Sequence, residues 1–194
     1  MVSQTTKPNL QQKFENEVAV SVREKFGIGN ANAQPKLDKI IVNVGVGKAL
    51  ENQKLKPDVR DTVISTLTTI TGQKPVMVLA KKSVSNFKVR EGAPSAFMVT
   101  IRRERMWTFL DRLINLATPR IKDFRGLSRK SFDQGGSYGM GLTEQAVWPE
   151  INMATVSYTH GMNINLIFRD SDPEKSLFLL EGLGMPFKKV GGDR

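Results

Sequence analysis

The chain has no cysteine and a single histidine, His160, among its 194 residues. The first absence removes disulfides, thiolate metal sites and cysteine nucleophiles together. The second leaves one imidazole for any triad or metal site, and neither works without partners at fixed spacing. Asp123, Asp133, Glu144 and Glu150 are scattered, with no interval that pairs two of them on one face. No Gly-x-Ser-x-Gly elbow leads into a helix. Aromatics make up 7 % of the chain, with two Trp and two Tyr, too few to lay rows of stacking rings across a sheet. No apolar run reaches the roughly 20 residues of a membrane-spanning helix, and the opening MVSQTTKPNL lacks the apolar core of a signal peptide. The expectation is a soluble cytoplasmic protein that is not an enzyme, with no cofactor, metal, small-molecule substrate or membrane partner.

Two glycine clusters test that expectation. GVGK at 45–48 has Val42 where a P-loop needs its first glycine, and Ala49 where it needs Ser or Thr. It also fails the dinucleotide pattern, because Leu50 stands in the third glycine position. GGSYGMG at 135–141 fails the same templates and reads as a flexible loop.

What the chain does have is positive charge, +10 in total. Residues 1–80 carry 11 Lys and Arg against 7 Asp and Glu, 81–130 carry 13 against 4, and 131–194 carry 5 against 8. Nearly all the excess lies in the middle. Solubility alone does not need such clustering, so a polyanion partner is expected.

Periodicity supplies the elements. Leu10, Phe14, Val18, Val22 and Phe26 form one stripe of a helix that stops at Gly27. Ile40, Val42, Val44 and Val46 alternate with Lys39, Ile41, Asn43 and Gly45 on a strand. Pro57 opens a helix with Val59, Val63, Leu67 and Ile70 inward, ended by Gly72. A short strand spans 76–80. Residues 81–96 read as a long, protruding basic loop, followed by a strand with Phe97, Val99 and Ile101 on one face and Met98, Thr100 and Arg102 on the other. The next helix buries Met106, Leu110, Leu113, Ile114 and Ala117, with Trp107 at the edge of the stripe and Arg103 in phase with it. Residues 120–149 are turn-rich, with one short strand near Ala146. Met162, Ile164, Leu166 and Phe168 alternate on a late strand. Ser171-Asp172-Pro173-Glu174 then starts a helix carrying Leu177, Leu180 and Leu183, either as a capping box or with Asp172 as cap and Pro173 first.

The order predicts one domain over 1–194 with flexible tails at 1–8 and 190–194. Its class is α+β: a mostly antiparallel sheet, helices packed on one face, the other free to bind. Thr100 and Arg102 project opposite Phe97, Val99 and Ile101, and Asn43 opposite Val42 and Val44. Hydroxyl, guanidinium and amide groups suit phosphates, 2′-hydroxyls and base edges. The alternation alone equally fits a solvated sheet face; the basic clustering favours RNA. Few aromatics lie on that face, so backbone and shape recognition is expected more than base stacking.

TGQKP at 71–75, the run AKKSVSNFKVREG, and RMWTFLDRL followed by PRIKDFRGLS carry a resemblance. With LDKIIVNVGVG and LLEGLGMPFKK they make the chain, over roughly 9–189, similar to the bacterial large-subunit ribosomal protein L-five family. The resemblance implies a non-catalytic, cofactor-free constituent of the large ribosomal subunit that anchors 5S rRNA in the central protuberance through a concave sheet face. It implies 5S rRNA contacts at Asn43, Gln73, Thr100 and Arg102. It further implies that the 81–92 loop, through Lys81, Lys82, Ser83, Lys88 and Arg90, reaches P-site tRNA. Residues 120–141 would face a small-subunit head protein across an intersubunit bridge, and large-subunit rRNA is a further expected partner, with Arg105 and Arg112 either solvated or in contact with it. Val78 departs from the Thr or Ser common in the family. The alternative reading is a free-standing RNA-binding regulator of the same fold.

Overall fold

A regular α-helix turns about 100° per residue, so an every-fourth stripe drifts round it by about 40° a step. The computed structural model, which describes residues 7–51, 53–87 and 89–188, shows how the first helix absorbs that drift. Helix α1 (Asn9–Lys13) passes into one π turn, Phe14–Val18, before α2 (Ala19–Phe26) resumes. The wider turn takes back rotation, and Leu10, Val18 and Val22 stay buried. Gly27 closes the helix in the left-handed region, φ 63°. Of the expected tails, only Lys7 and Pro8 are among the described residues; Lys7 pairs with Glu15 at 2.7 Å.

The strands are β1 (Lys36–Gly45), the short pair β2 (Leu50–Glu51) and β3 (Lys54–Leu55), β4 (Val76–Leu79), β5 (Pro94–Ile101), β6 (Tyr138–Leu142) and β7 (Met162–Arg169). Five of them form one antiparallel sheet in the order β4-β5-β1-β7-β6, so the fold is α+β as expected. In each of the four long-range strands β1, β5, β6 and β7, alternate apolar residues are buried: Val42 and Val44, Phe97, Val99 and Ile101, Tyr138 and Met140, Ile164 and Leu166. Each such side chain contributes roughly 1.5–3 kcal/mol by leaving water. The intervening residues are half-buried or exposed.

The chain forms two compact units. One comprises the residues up to Ile40, Arg102–Met140 and the residues from Asn165 on. Here α4 (Arg103–Arg112), extended by a second π turn at Leu113–Ala117, packs against α1, and α5 (Pro173–Leu183) against α2. Phe14 meets Trp107 with ring centroids 5.1 Å apart. Asp172 caps α5 by accepting from the Lys175 N–H at 2.9 Å, and Pro173 occupies the first turn. The other unit comprises Ile41–Ile101 and Gly141–Ile164. In it α3 (Pro57–Thr71) packs on β5 and ends at Gly72, φ 69°.

Several expectations need correction. GGSYGMG is not a loop: its second half is β6, with Tyr138, Met140 and Leu142 buried and Gly139 and Gly141 on the opposite face. Ala146 lies in a 3-10 turn (Gln145–Val147), not a strand. β5 begins at Pro94, where a strand tolerates proline, so the basic loop is shorter than 81–96. Trp107 is buried at 7 % exposure, because Phe14 covers it, and Phe109 is buried beside the stripe. Arg103 is exposed rather than in phase with the core, because α4 starts there at φ 57°.

Candidate nucleic-acid interface

The buried faces of the strands fix what the opposite faces carry. On β1 that is Ile41 and Asn43; on β5, Met98 and Thr100. The β4–β5 register pairs Val76 with Met98, so Val76 and Val78 share the side of Thr100. On β7 the alternation MNINLIF turns Asn163 and Asn165 away from the core. On β6 the same side has only Gly139 and Gly141.

Those glycines are explained by their neighbours. A Cβ at Gly141 would stand 3.5 Å from the Asn163 Oδ1, and one at Gly139 would stand 3.1 Å from the Asn165 Oδ1. Two steps forward on β6 match two steps back on β7, the antiparallel relation. The amides lie over bare backbone, and Gly141 and Asn163 are both exposed. Within the second unit this side of the sheet therefore offers Asn43, Thr100 and Asn163, two amides and a hydroxyl, with no aromatic ring among them.

The remaining sheet-face residues fall elsewhere. Gln73 follows the Gly72 turn, half-buried, and its backbone is held from both sides: the Thr71 hydroxyl donates to its carbonyl at 3.2 Å and accepts from its N–H at 3.3 Å. Arg102 does not lie within a strand. It is the exposed N-cap residue of α4, just past β5, and opens the other unit. Arg103 lines a separate cavity of about 380 Å³ in that unit, with Lys36, Asp38, Arg169 and Asp170. Asp170 is also at positive φ, 54°.

The basic loop is an arm with internal ties. Val84 and Val89 exchange backbone hydrogen bonds at 2.9 and 3.2 Å. The Ser83 hydroxyl accepts from the Glu91 N–H at 2.9 Å, so Ser83 shapes the loop. Gln53 Oε1 accepts from the Arg90 N–H at 2.9 Å. Lys81, Lys82 and Arg90 are exposed. Lys88 lies outside the described residues. Phe87, at 79 %, is the most exposed of the large apolar side chains described.

One constellation escaped the sequence reading. Gln145, fully buried, donates from Nε2 to the Tyr158 carbonyl at 2.9 Å and accepts from the His160 N–H at Oε1. A Cβ at Gly161 would stand 2.6 Å from the Leu142 carbonyl oxygen, so the segment entering β7 closes tightly on β6. The result is a cleft of about 760 Å³ lined by Asn43, Lys48, Phe87, Tyr158, His160 and Asn163, among others. His160 is buried and its pKa is lowered by that burial, partly opposed by the Gly161 carbonyl. The polar alternation of MNINLIF was open to the same reasoning that found Asn43; the Gln145 clamp had no local signal.

Known proteins match nearly the whole chain. Residues 30–90 match the family described as ribosomal protein L5, and residues 94–187 match the C-terminus of that ribosomal family. Proteins named large ribosomal subunit protein uL5 are similar throughout. The one from Caldanaerobacter subterraneus subsp. tengcongensis is 46 % identical over 180 residues, 93 % of this chain and 98 % of that protein. The one from Clostridium tetani is 47 % identical over the same shares. The one from Bdellovibrio bacteriovorus is 46 % identical, again over 93 % and 98 %.

Proposed function

Because the chain belongs to the ribosomal protein L5 family, and so is a structural, non-enzymatic constituent of the large ribosomal subunit, we propose that it binds 5S rRNA through the open side of its sheet and anchors that RNA in the central protuberance. The observation that carries this reading is the side of β1, β5 and β7 bearing Asn43, Thr100 and Asn163 opposite a buried apolar side. Amides and a hydroxyl over a glycine-floored strand suit a ribose-phosphate backbone laid close to the sheet. Gln73 and Arg102 supply further contacts beyond the strands, Arg102 as a guanidinium for phosphate.

The loop between β4 and β5 makes a second contact, with P-site tRNA. Its support is the exposed set Lys81, Lys82 and Arg90 on a turn held by the Val84–Val89 pair and by Ser83. The bridge to a small-subunit head protein belongs to residues 120–141, where Lys122, Arg125 and Lys130 are exposed. Residues 138–141 of this stretch lie in β6, the edge strand of the sheet.

The test is a filter-binding titration of the full chain against 5S rRNA and a size-matched control RNA at several salt concentrations. The log–log salt slope should fall by about 0.7–0.9 for each phosphate neutralised. Arg102→Ala should cost roughly 1.5–3 kcal/mol if its charge-assisted contact is made. Unchanged 5S affinity in the triple variant Asn43→Ala, Thr100→Ala, Arg102→Ala would remove the assignment. Sedimentation of cell extract tests the alternative regulator: it requires most of the protein outside ribosomal particles.

A further inference from the structure

We propose that the cleft formed by Asn43, Lys48, Phe87, Tyr158, His160 and Asn163 is a pocket for one unstacked RNA nucleotide, selecting a base that presents hydrogen-bond donors, guanine above the other three. The proposal rests on the RNA-binding reading above but asks for something that reading does not contain, capture of a single base. All the lining residues belong to one compact unit, and about 760 Å³ lies within the usual range of small-ligand sites, about 300–1,000 Å³.

Base preference follows from the polar atoms. The His160 Nδ1 lies 3.2 Å from the Gly161 carbonyl oxygen. A carbonyl oxygen only accepts, so Nδ1 carries the proton, and in a neutral imidazole Nε2 is then a bare acceptor. Burial favours the neutral ring. The Nε2 is buried and has no hydrogen-bond partner among the described residues, and the same is true of the Asn43 Oδ1. Unpaired buried acceptors are rare because each destabilises the protein that holds it. Both residues line the cleft, and a ligand that opens it far enough to reach these closed-off acceptors must bring donors. The Watson–Crick edge of guanine has an N–H and an amino group side by side; adenine and cytosine have one amino group there, and uracil one N–H.

The apolar walls point to a base as well. Phe87 is 79 % exposed on the loop and lines the cleft, where it adds nothing to the core. Tyr158 and His160 stack at 6.2 Å between centroids, with 24° between planes. Unstacked bases are read by this combination of aromatic stacking and edge hydrogen bonding. Exposed Lys48 stands at the rim for the phosphate. The Gln145 clamp sets the Tyr158–His160 segment before any ligand arrives. Stacking thus enters the RNA interface through the loop, although the sheet side has no aromatic ring among the described residues.

The experiment is an NMR titration of the full isotope-labelled chain with GMP, AMP, CMP, UMP and inorganic phosphate. Expected are saturable shifts at the Asn43 amide and the His160 ring with GMP, at an affinity about tenfold above that for the other nucleotides. Phe87→Ala and His160→Phe should each weaken GMP by about tenfold. Phe87 is exposed, so its variant remains a fair test if His160→Phe does not fold. Equal shifts with phosphate alone, or GMP affinity unchanged in Phe87→Ala, overturn the pocket. No shift in the cleft, in protein that still binds 5S rRNA by filter assay, overturns the pocket and leaves the RNA-binding reading standing. Competition of GMP by 5S rRNA or by tRNA supports the pocket and tells which RNA delivers the nucleotide.

Discussion

Gly141→Val separates a role in folding from a role in binding. Gly141 is exposed, and its backbone is not in the left-handed region, so an L-residue adopts it without strain. A Cβ there meets only the Asn163 Oδ1, at 3.5 Å, an ordinary contact. Glycine within a strand costs about 0.5–1 kcal/mol relative to alanine, and β-branched residues are favoured further within a scale of about 1 kcal/mol. The variant should therefore be more stable by about 1 kcal/mol, a Tm rise of roughly 2–4 °C for a chain of this size. Binding should move the other way. The new methyls rise from the glycine floor beside Asn163 and hold the RNA backbone off the amide. Losing one or two hydrogen bonds to a charged phosphate costs about 1.5–3 kcal/mol each, so 5S rRNA affinity should fall by at least about tenfold. Differential scanning calorimetry and filter binding on one preparation read both quantities. Full 5S affinity in a stabilised variant would show that the RNA does not pass over β6 at this point. A fall in Tm would show that the glycine is required by the fold, and that the space beside it is not open to a side chain.

Four other outcomes follow from the same geometry. Neutralising Lys81, Lys82, Lys88 and Arg90 together should weaken P-site tRNA interaction in reconstituted ribosomes while leaving 5S binding to the free protein intact; equal loss of both would refute that division of labour. Gly136→Ala should sharply destabilise the protein in urea titration, since its Cβ would lie 2.7 Å from the Ser176 Oγ and 2.8 Å from the Asp172 carbonyl at φ 75°, whereas Gly135→Ala, meeting only the Asp133 Oδ1 at 3.6 Å, should be close to neutral. Asp172→Ala should cost about 1 kcal/mol through the lost cap; the Lys175 side-chain hydrogen bond lowers the Asp172 pKa, so the wild-type advantage should be full above 3.8 and fade as pH falls through the lowered value. His160 is held neutral by burial, and its unfolded form takes up a proton below about 6.5. Wild type should accordingly lose more stability between pH 7.5 and 5.5 than His160→Gln does, and parallel pH curves would contradict the burial argument.

How far the sequence reveals this protein depends on the distance over which each feature is encoded. Strand and helix faces are local: a period of two placed Asn43 and Thr100 opposite Val42 and Val99, and the structure keeps them there. An edge strand poor in side chains is not local. GGSYGMG has loop composition, and only Asn163 and Asn165, supplied by a strand much later in the chain, show why residues 139 and 141 are bare. Arg102 looked like the last polar residue of a strand because alternation continues past Ile101, yet hydrogen bonding ends there and the chain turns into α4 through Arg103 at φ 57°. Periodicity cannot mark that turn, since arginine carries no signal for positive φ. His160 shows the limit most clearly. As the lone histidine it offered little to a triad or a metal site, and the family to which the chain belongs is a non-enzymatic one. What its imidazole offers instead depends on a backbone carbonyl one residue away fixing the proton on Nδ1, and on Gln145 fixing the backbone. A residue that offers little as a base or a ligand by sequence can still be an acceptor by geometry, and an unpaired acceptor on a residue of the cleft that Asn43 also lines is a feature of the folded chain alone.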